Sequence, residues 1–171
     1  MSETDHNVLK IGMIDVDLLN NGTRHPNLAQ MKMSAFCKEE GHDVRLLYLP
    51  EDLSNFESYD VIIASKVFTF NEDPEELNQL KRKLFSQCNP ESIIINETEL
   101  NRFFNRSIYE PIKSWREKKP THTFLFLGGT GYFENGGVDL KKPEVEHHYP
   151  DYDLYGDYAV SYTHLTLPTI R

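Results

Sequence analysis

A chain of 171 residues, 39% hydrophobic and 12% aromatic, is long enough for one domain with a real core. With 18 Lys+Arg against 27 Asp+Glu, a formal net charge of −9, it lacks the basic balance of a duplex-binding domain, which argues against nucleic acid as the main partner. The longest apolar runs, "VIIAS" and "FLFLGG", fall far short of the roughly 20 residues of a membrane helix, and "MSETDHN" has no secretory character, so a cytoplasmic protein is expected.

Residues 1–8 read as a disordered start. Residues 9–16, "LKIGMIDV", are almost continuously apolar, as a central parallel strand buried on both faces must be. A helix starts near Pro26, whose fixed φ suits a first turn, and ends before Gly41, which tolerates the left-handed backbone of a helix stop. Leu28, Met31 and Ala35, flanked by Met33 and Phe36, form its expected apolar stripe. Cys37 and Cys88 read as reduced thiols. Residues 44–49 ("VRLLYL") and 61–64 are the second and third strands. Asp73-Pro74-Glu75-Glu76 resembles a capping box, after which Leu77, Leu80 and Leu84 line one helix face. Residues 71–121 read as a helical insertion: "SIIIN" suits a short strand, while "ELNRFFN" and "YEPIKSWREKK" suit two short helices. Residues 123–127, "TFLFL", are a strand running into "GGTGY".

A β-α-β opening of this kind predicts an α/β domain with a doubly wound, three-layer parallel sheet, because parallel strands need helical crossovers on their faces. Ligands of such sheets gather outside the carboxyl ends of the strands. Three polar clusters follow predicted strands: Asp15, Asp17, Asn20 and Asn21; Ser65 and Lys66; and Gly128, Gly129, Thr130 and Gly131. Converging, they make a small-molecule pocket with carboxylates on one side and bare backbone amides on the other. Lys66 adds a positive charge for an anionic ligand end. Plainer readings exist for each. Asp15 and Asp17 suit caps of the following loop, the glycines suit a turn, and Lys66 suits a solvated strand end. Gly-Gly-Thr-Gly has neither Walker nor dinucleotide spacing. His147 and His148, with Glu144 and Glu146, are adjacent side chains on a loop, and no metal site is assigned to them.

The segments "IGMIDVD", "HPNLAQMKMSAFCKEEGHDV", "YDVIIASKVFTF", "GGTGY" and "YPDYDLY" together resemble the N-terminal region of a radical S-adenosylmethionine family. Its members begin with a cobalamin-binding-like, flavodoxin-type domain. The match covers residues 9–70 and 123–159, and it has no counterpart for the insertion. It implies a domain over residues 9–135, a linker over 136–159, and then a catalytic barrel with a cysteine triad that is missing from this chain. In the whole protein it implies an iron–sulfur cluster and S-adenosylmethionine, with cobalamin left open. Cys37 and Cys88 cannot replace three clustered thiolates, so this chain alone is expected to be inactive. His25 is the only histidine of the first loop, and "DLLNNGTRHPN" lacks the DxHxxG pattern that supplies an axial histidine in many cobalamin domains. Residues 160–171, "VSYTHLTLPTIR", resemble translated sequencing adapter and are expected to be non-native. The competing reading is a stand-alone flavodoxin-like binding or interaction module.

Overall fold

The computed structural model describes residues 8–20, 25–48, 50–87, 93–94, 123–132 and 143–156. Strand β1 (Lys10–Asp15) runs directly into the one-turn helix α1 (Val16–Leu19), and α2 (Leu28–Glu39) leads to β2 (Asp43–Leu46). A short α3 (Pro50–Leu53) and a 3-10 turn (Phe56–Ser58) precede β3 (Val61–Ser65). Then come α4 (Glu75–Gln87), β4 (Ile93–Ile94), β5 (Phe124–Gly128) and the one-turn α5 (Pro143–Glu146).

The described strands form one sheet in the order β2-β1-β3-β5-β4, with every neighbouring pair parallel. β1 is central, as its apolar continuity required. The chain passes from β1 to one side for β2 and to the other for β3, which is the doubly wound, flavodoxin-like arrangement. The far edge departs from the simplest flavodoxin order. β4 precedes β5 in the chain yet lies outside it, so β5 is inserted between β3 and β4.

Alternate side chains of each strand feed two cores. Ile11, Met13, Val61, Ile63, Phe124 and Phe126 pack against α2 and against residues 145–155. Ile14, Ile62, Ala64 and Leu125 pack against Leu47, Leu53, Phe56 and the α4 face of Leu77, Leu80 and Leu84. Three layers result from this period of two. Gly12 belongs to the second face, where a Cβ would lie 2.5 Å from Leu47 Cδ1 and 2.8 Å from Ile62 Cδ1.

Several sequence-based expectations shift. β1 stops at Asp15 because that side chain accepts from Leu18 N and caps α1. α2 begins at Leu28, capped by Asn27, and Gly41 ends it with φ +88. The expected stripe of α2 is rotated: Leu28 is 53% exposed and Ala35 only half-buried, whereas Gln30, Met31, Met33, Ser34, Phe36 and Cys37 are buried. Gln30 and Ser34 tolerate burial because Ile14 O and Asp151 satisfy them.

Residues 143–156, the described part of the expected linker, pack in part on the domain. Val145, Leu154 and Tyr155 enter the α2-side core, and Asp151 N donates to Met31 O at 3.0 Å. Apolar surface on the segment and on α2 explains this. The helices expected near 99–119 and the tail 160–171 lie outside the described residues. No helix among the described residues is long and apolar enough to cross a membrane.

Candidate functional site

Register brings three strand ends together: Asp15 pairs with Ser65, and Ser65 with Gly128. At this edge a cleft of about 320 Å³ opens, lined by Asp15, Asp17, His25, Pro26, Asn27, Leu28, Ala29, Val67 and Phe68. It lies outside the carboxyl ends of β1 and β3, beside the start of α2, where doubly wound sheets bind ligands. Its volume is at the low end for small-molecule sites.

Asp15 is almost fully buried at the floor. Its Oδ1 accepts from Leu18 N at 3.1 Å and its Oδ2 from the Tyr155 hydroxyl at 2.8 Å. Burial raises its carboxyl above the usual range, against the opposing hydrogen bonds from Tyr155 and Leu18. Asp17 accepts from Val67 N at 2.6 Å, Phe68 N at 3.2 Å and Asn71 Nδ2 at 2.7 Å. It therefore holds the loop after β3 in place and sets the cleft wall of Val67 and Phe68. Asn27 caps α2 through Gln30 N and donates from Nδ2 to Ser65 Oγ at 3.0 Å. Its own N–H donates to the Tyr155 hydroxyl at 2.9 Å.

Of the residues predicted from sequence, Asp15 and Asp17 line the cleft, and Ser65 lies behind it, bonded to Asn27. Asn20 does not line it. Its side chain donates to Val16 O and Glu72 O and closes α1. Lys66 is not a free positive charge either. It is buried, and its Nζ lies 3.0 Å from Asp73 Oδ1 and 4.3 Å over the Tyr132 ring. Lys81 and the Tyr132 hydroxyl also bond Asp73. Burial disfavours the Asp73 anion, but these partners together hold its carboxyl below the usual range.

The glycine loop packs on Lys66 rather than on the cleft. Gly131 N donates to Lys66 O at 2.8 Å, Gly128 O accepts from Lys66 N, and Thr130 Oγ1 donates to Val67 O. A Cβ on Gly129 would lie 2.3 Å from Lys66 O, and one on Gly131 2.6 Å from Lys66 Cγ. The glycines serve close backbone approach, and the expected pocket of carboxylates facing bare amides divides into two neighbouring clusters. His148 pairs with Glu39 at 2.6 Å, away from the cleft, and Cys37 is a buried free thiol whose ionisation burial opposes.

Asn27, Gln30, Tyr155 and Tyr132 were not singled out from sequence as site residues, and Asp73 was read only as a helix-start residue. Asn27-Leu28-Ala29-Gln30 does carry the spacing of a helix-start signal, which could have found the first two. Tyr155 has no local signal, since its partners are set by the tertiary fold. Comparison with family models, with curated proteins and with solved structures found no match.

Proposed function

We propose that this chain is the small-molecule-binding accessory domain of a cytoplasmic radical S-adenosylmethionine protein whose catalytic barrel lies outside this chain. The binding role is carried by one observation, the cleft at the carboxyl ends of β1 and β3 lined by Asp15, Asp17 and Asn27. The radical enzyme context rests on the ordered series of motifs in the sequence. An iron–sulfur cluster does not fit the described residues, where Cys37 is buried and three thiolates are needed, so the cluster belongs to the barrel. A corrin is larger than the cleft these residues form, so a smaller ligand is the better occupant.

Titration with nucleotides, S-adenosylmethionine and cobalamins tests the binding role, using the native chain and Ala29→Trp, which fills the cleft. We expect one smaller ligand to bind, with at least about tenfold loss in the variant, about 1.4 kcal/mol. Equal affinity for both proteins, or no binding, would overturn it. Sequencing the gene beyond the Ala159 codon tests the context. A reading frame continuing to a cysteine triad is expected, and a stop codon directly after Arg171 would leave the stand-alone module. That second reading also draws on exposed Val67, Phe68 and Phe70, the last two stacked at 5.2 Å beside the cleft.

A further inference from the structure

The cleft and the lysine cluster beside it divide their charges unequally. Asp15 and Asp17 both line the cleft, and each is 1% exposed, so little water screens them. Lys66 and Lys81 turn to Asp73 instead. Among the described residues that line the cleft there is no lysine or arginine, and only His25 has a side chain able to carry positive charge. The start of α2 adds a partial charge of about +0.5. Asn27 Oδ1 already takes one of its N–H groups, that of Gln30. Even with His25 protonated, the formal balance stays negative.

The two carboxylates also keep room for a ligand. Each accepts about four hydrogen bonds when ionised. Asp15 takes Leu18 N and the Tyr155 hydroxyl, and Asp17 takes Val67 N, Phe68 N and Asn71 Nδ2. A ligand donor therefore adds to these bonds and displaces none of them. Burial disfavours the charge on Asp15; a positive or hydrogen-donating edge beside it offsets that cost, whereas an anion adds to it. Pro26, Leu28, Ala29, Val67 and Phe68 make most of the remaining lining apolar. Because Asp17 holds the N–H groups of Val67 and Phe68, that wall is set before a ligand arrives. At about 320 Å³ the space suits one small flat ring.

We propose that the cleft takes a flat ring whose inner edge carries N–H donors or positive charge, and that it excludes phosphate and carboxylate groups. In a nucleotide the base end enters and the phosphates stay outside. This inference rests on the binding role proposed above and names the chemistry of the occupant.

Benzamidine and benzoate test it, being nearly the same in size and shape and opposite in charge. Each is titrated against the native chain in mildly alkaline buffer, following the amide resonances of Leu28, Ala29, Val67 and Phe68. We expect benzamidine to shift them at concentrations at least about tenfold lower than benzoate requires, as like charges in a poorly screened site demand. Ala29→Trp, which fills the cleft, should abolish the benzamidine response. Asp15→Asn keeps the shape of the floor and should shrink the preference. Benzoate binding as well as benzamidine, or a full preference in Asp15→Asn, would overturn the proposed chemistry and leave the binding role standing. Silence of these amides toward both compounds would overturn it too, and the binding role would still be decided by the nucleotide titration.

Discussion

The Tyr155 hydroxyl donates to Asp15 Oδ2 across 2.8 Å, joining residues 140 positions apart. This contact ties the end of the described chain to the end of its first strand. It also makes Asp15 a structural acceptor before any ligand reaches it.

Tyr155→Phe keeps the ring in the core and removes only the hydroxyl. Asn27 N–H and Asp15 Oδ2 then lose their partner in a buried setting, at an expected cost of about 1–3 kcal/mol. Urea unfolding measures it. Wild-type stability in the variant would mean that the network contributes nothing.

Asp17→Ala removes the acceptor of three donors, Val67 N, Phe68 N and Asn71 Nδ2. Hydrogen exchange should accelerate at Val67 and Phe68 well before global unfolding, because the lost bonds are local to that loop. Exchange confined to the wild-type rate at both amides would show that the loop holds itself without Asp17.

Gly129→Ala is expected to destabilise by about 1–3 kcal/mol, since φ +95 and a 2.3 Å approach to Lys66 O both oppose a Cβ. Gly128→Ala is the control, because nothing lies within 4 Å of its Cβ position. Similar melting temperatures for the two variants would contradict the packing role.

Two carboxylates should show opposite pH dependence. Burial raises Asp15 above 3.8, so the native state binds more protons there than the unfolded chain, and its contribution falls as pH rises through the raised value. Against Asp15→Asn, the wild type should therefore lose ground as pH rises from 3.8 through that raised value. At Asp73 burial opposes ionisation, but Lys81, Lys66 and Tyr132 hold the carboxyl below 3.8. Its stabilisation is present above 3.8 and lost as pH falls through the lowered value, so Asp73→Asn should cost most near neutrality. Urea midpoints across pH measure both, and two curves of the same sign would refute the assignment.

How much was legible followed from how local each signal was. The apolar run of β1 announced a strand buried on both faces, and Gly41 announced the end of α2. Leu77, Leu80 and Leu84 announced the buried face of α4. These are periodic or single-residue properties that neighbouring residues suffice to express. The rotated face of α2 was not legible, because Gln30 and Ser34 become acceptable inside only when Ile14 O and Asp151 meet them.

By itself the sequence determined the α/β class, the central place of β1 and the arrival of Asp15 at a strand end, with Asp17 just beyond it. Alternation and loop chemistry act within a few residues, so one chain suffices to read them. Only the tertiary structure decided that Lys66 turns to Asp73, that Gly129 and Gly131 pack on the Lys66 backbone, and that Tyr155 reaches Asp15. Those outcomes depend on which buried polar group finds which distant partner. Burial without a partner is costly, so the pairing is settled among all the groups brought together at once.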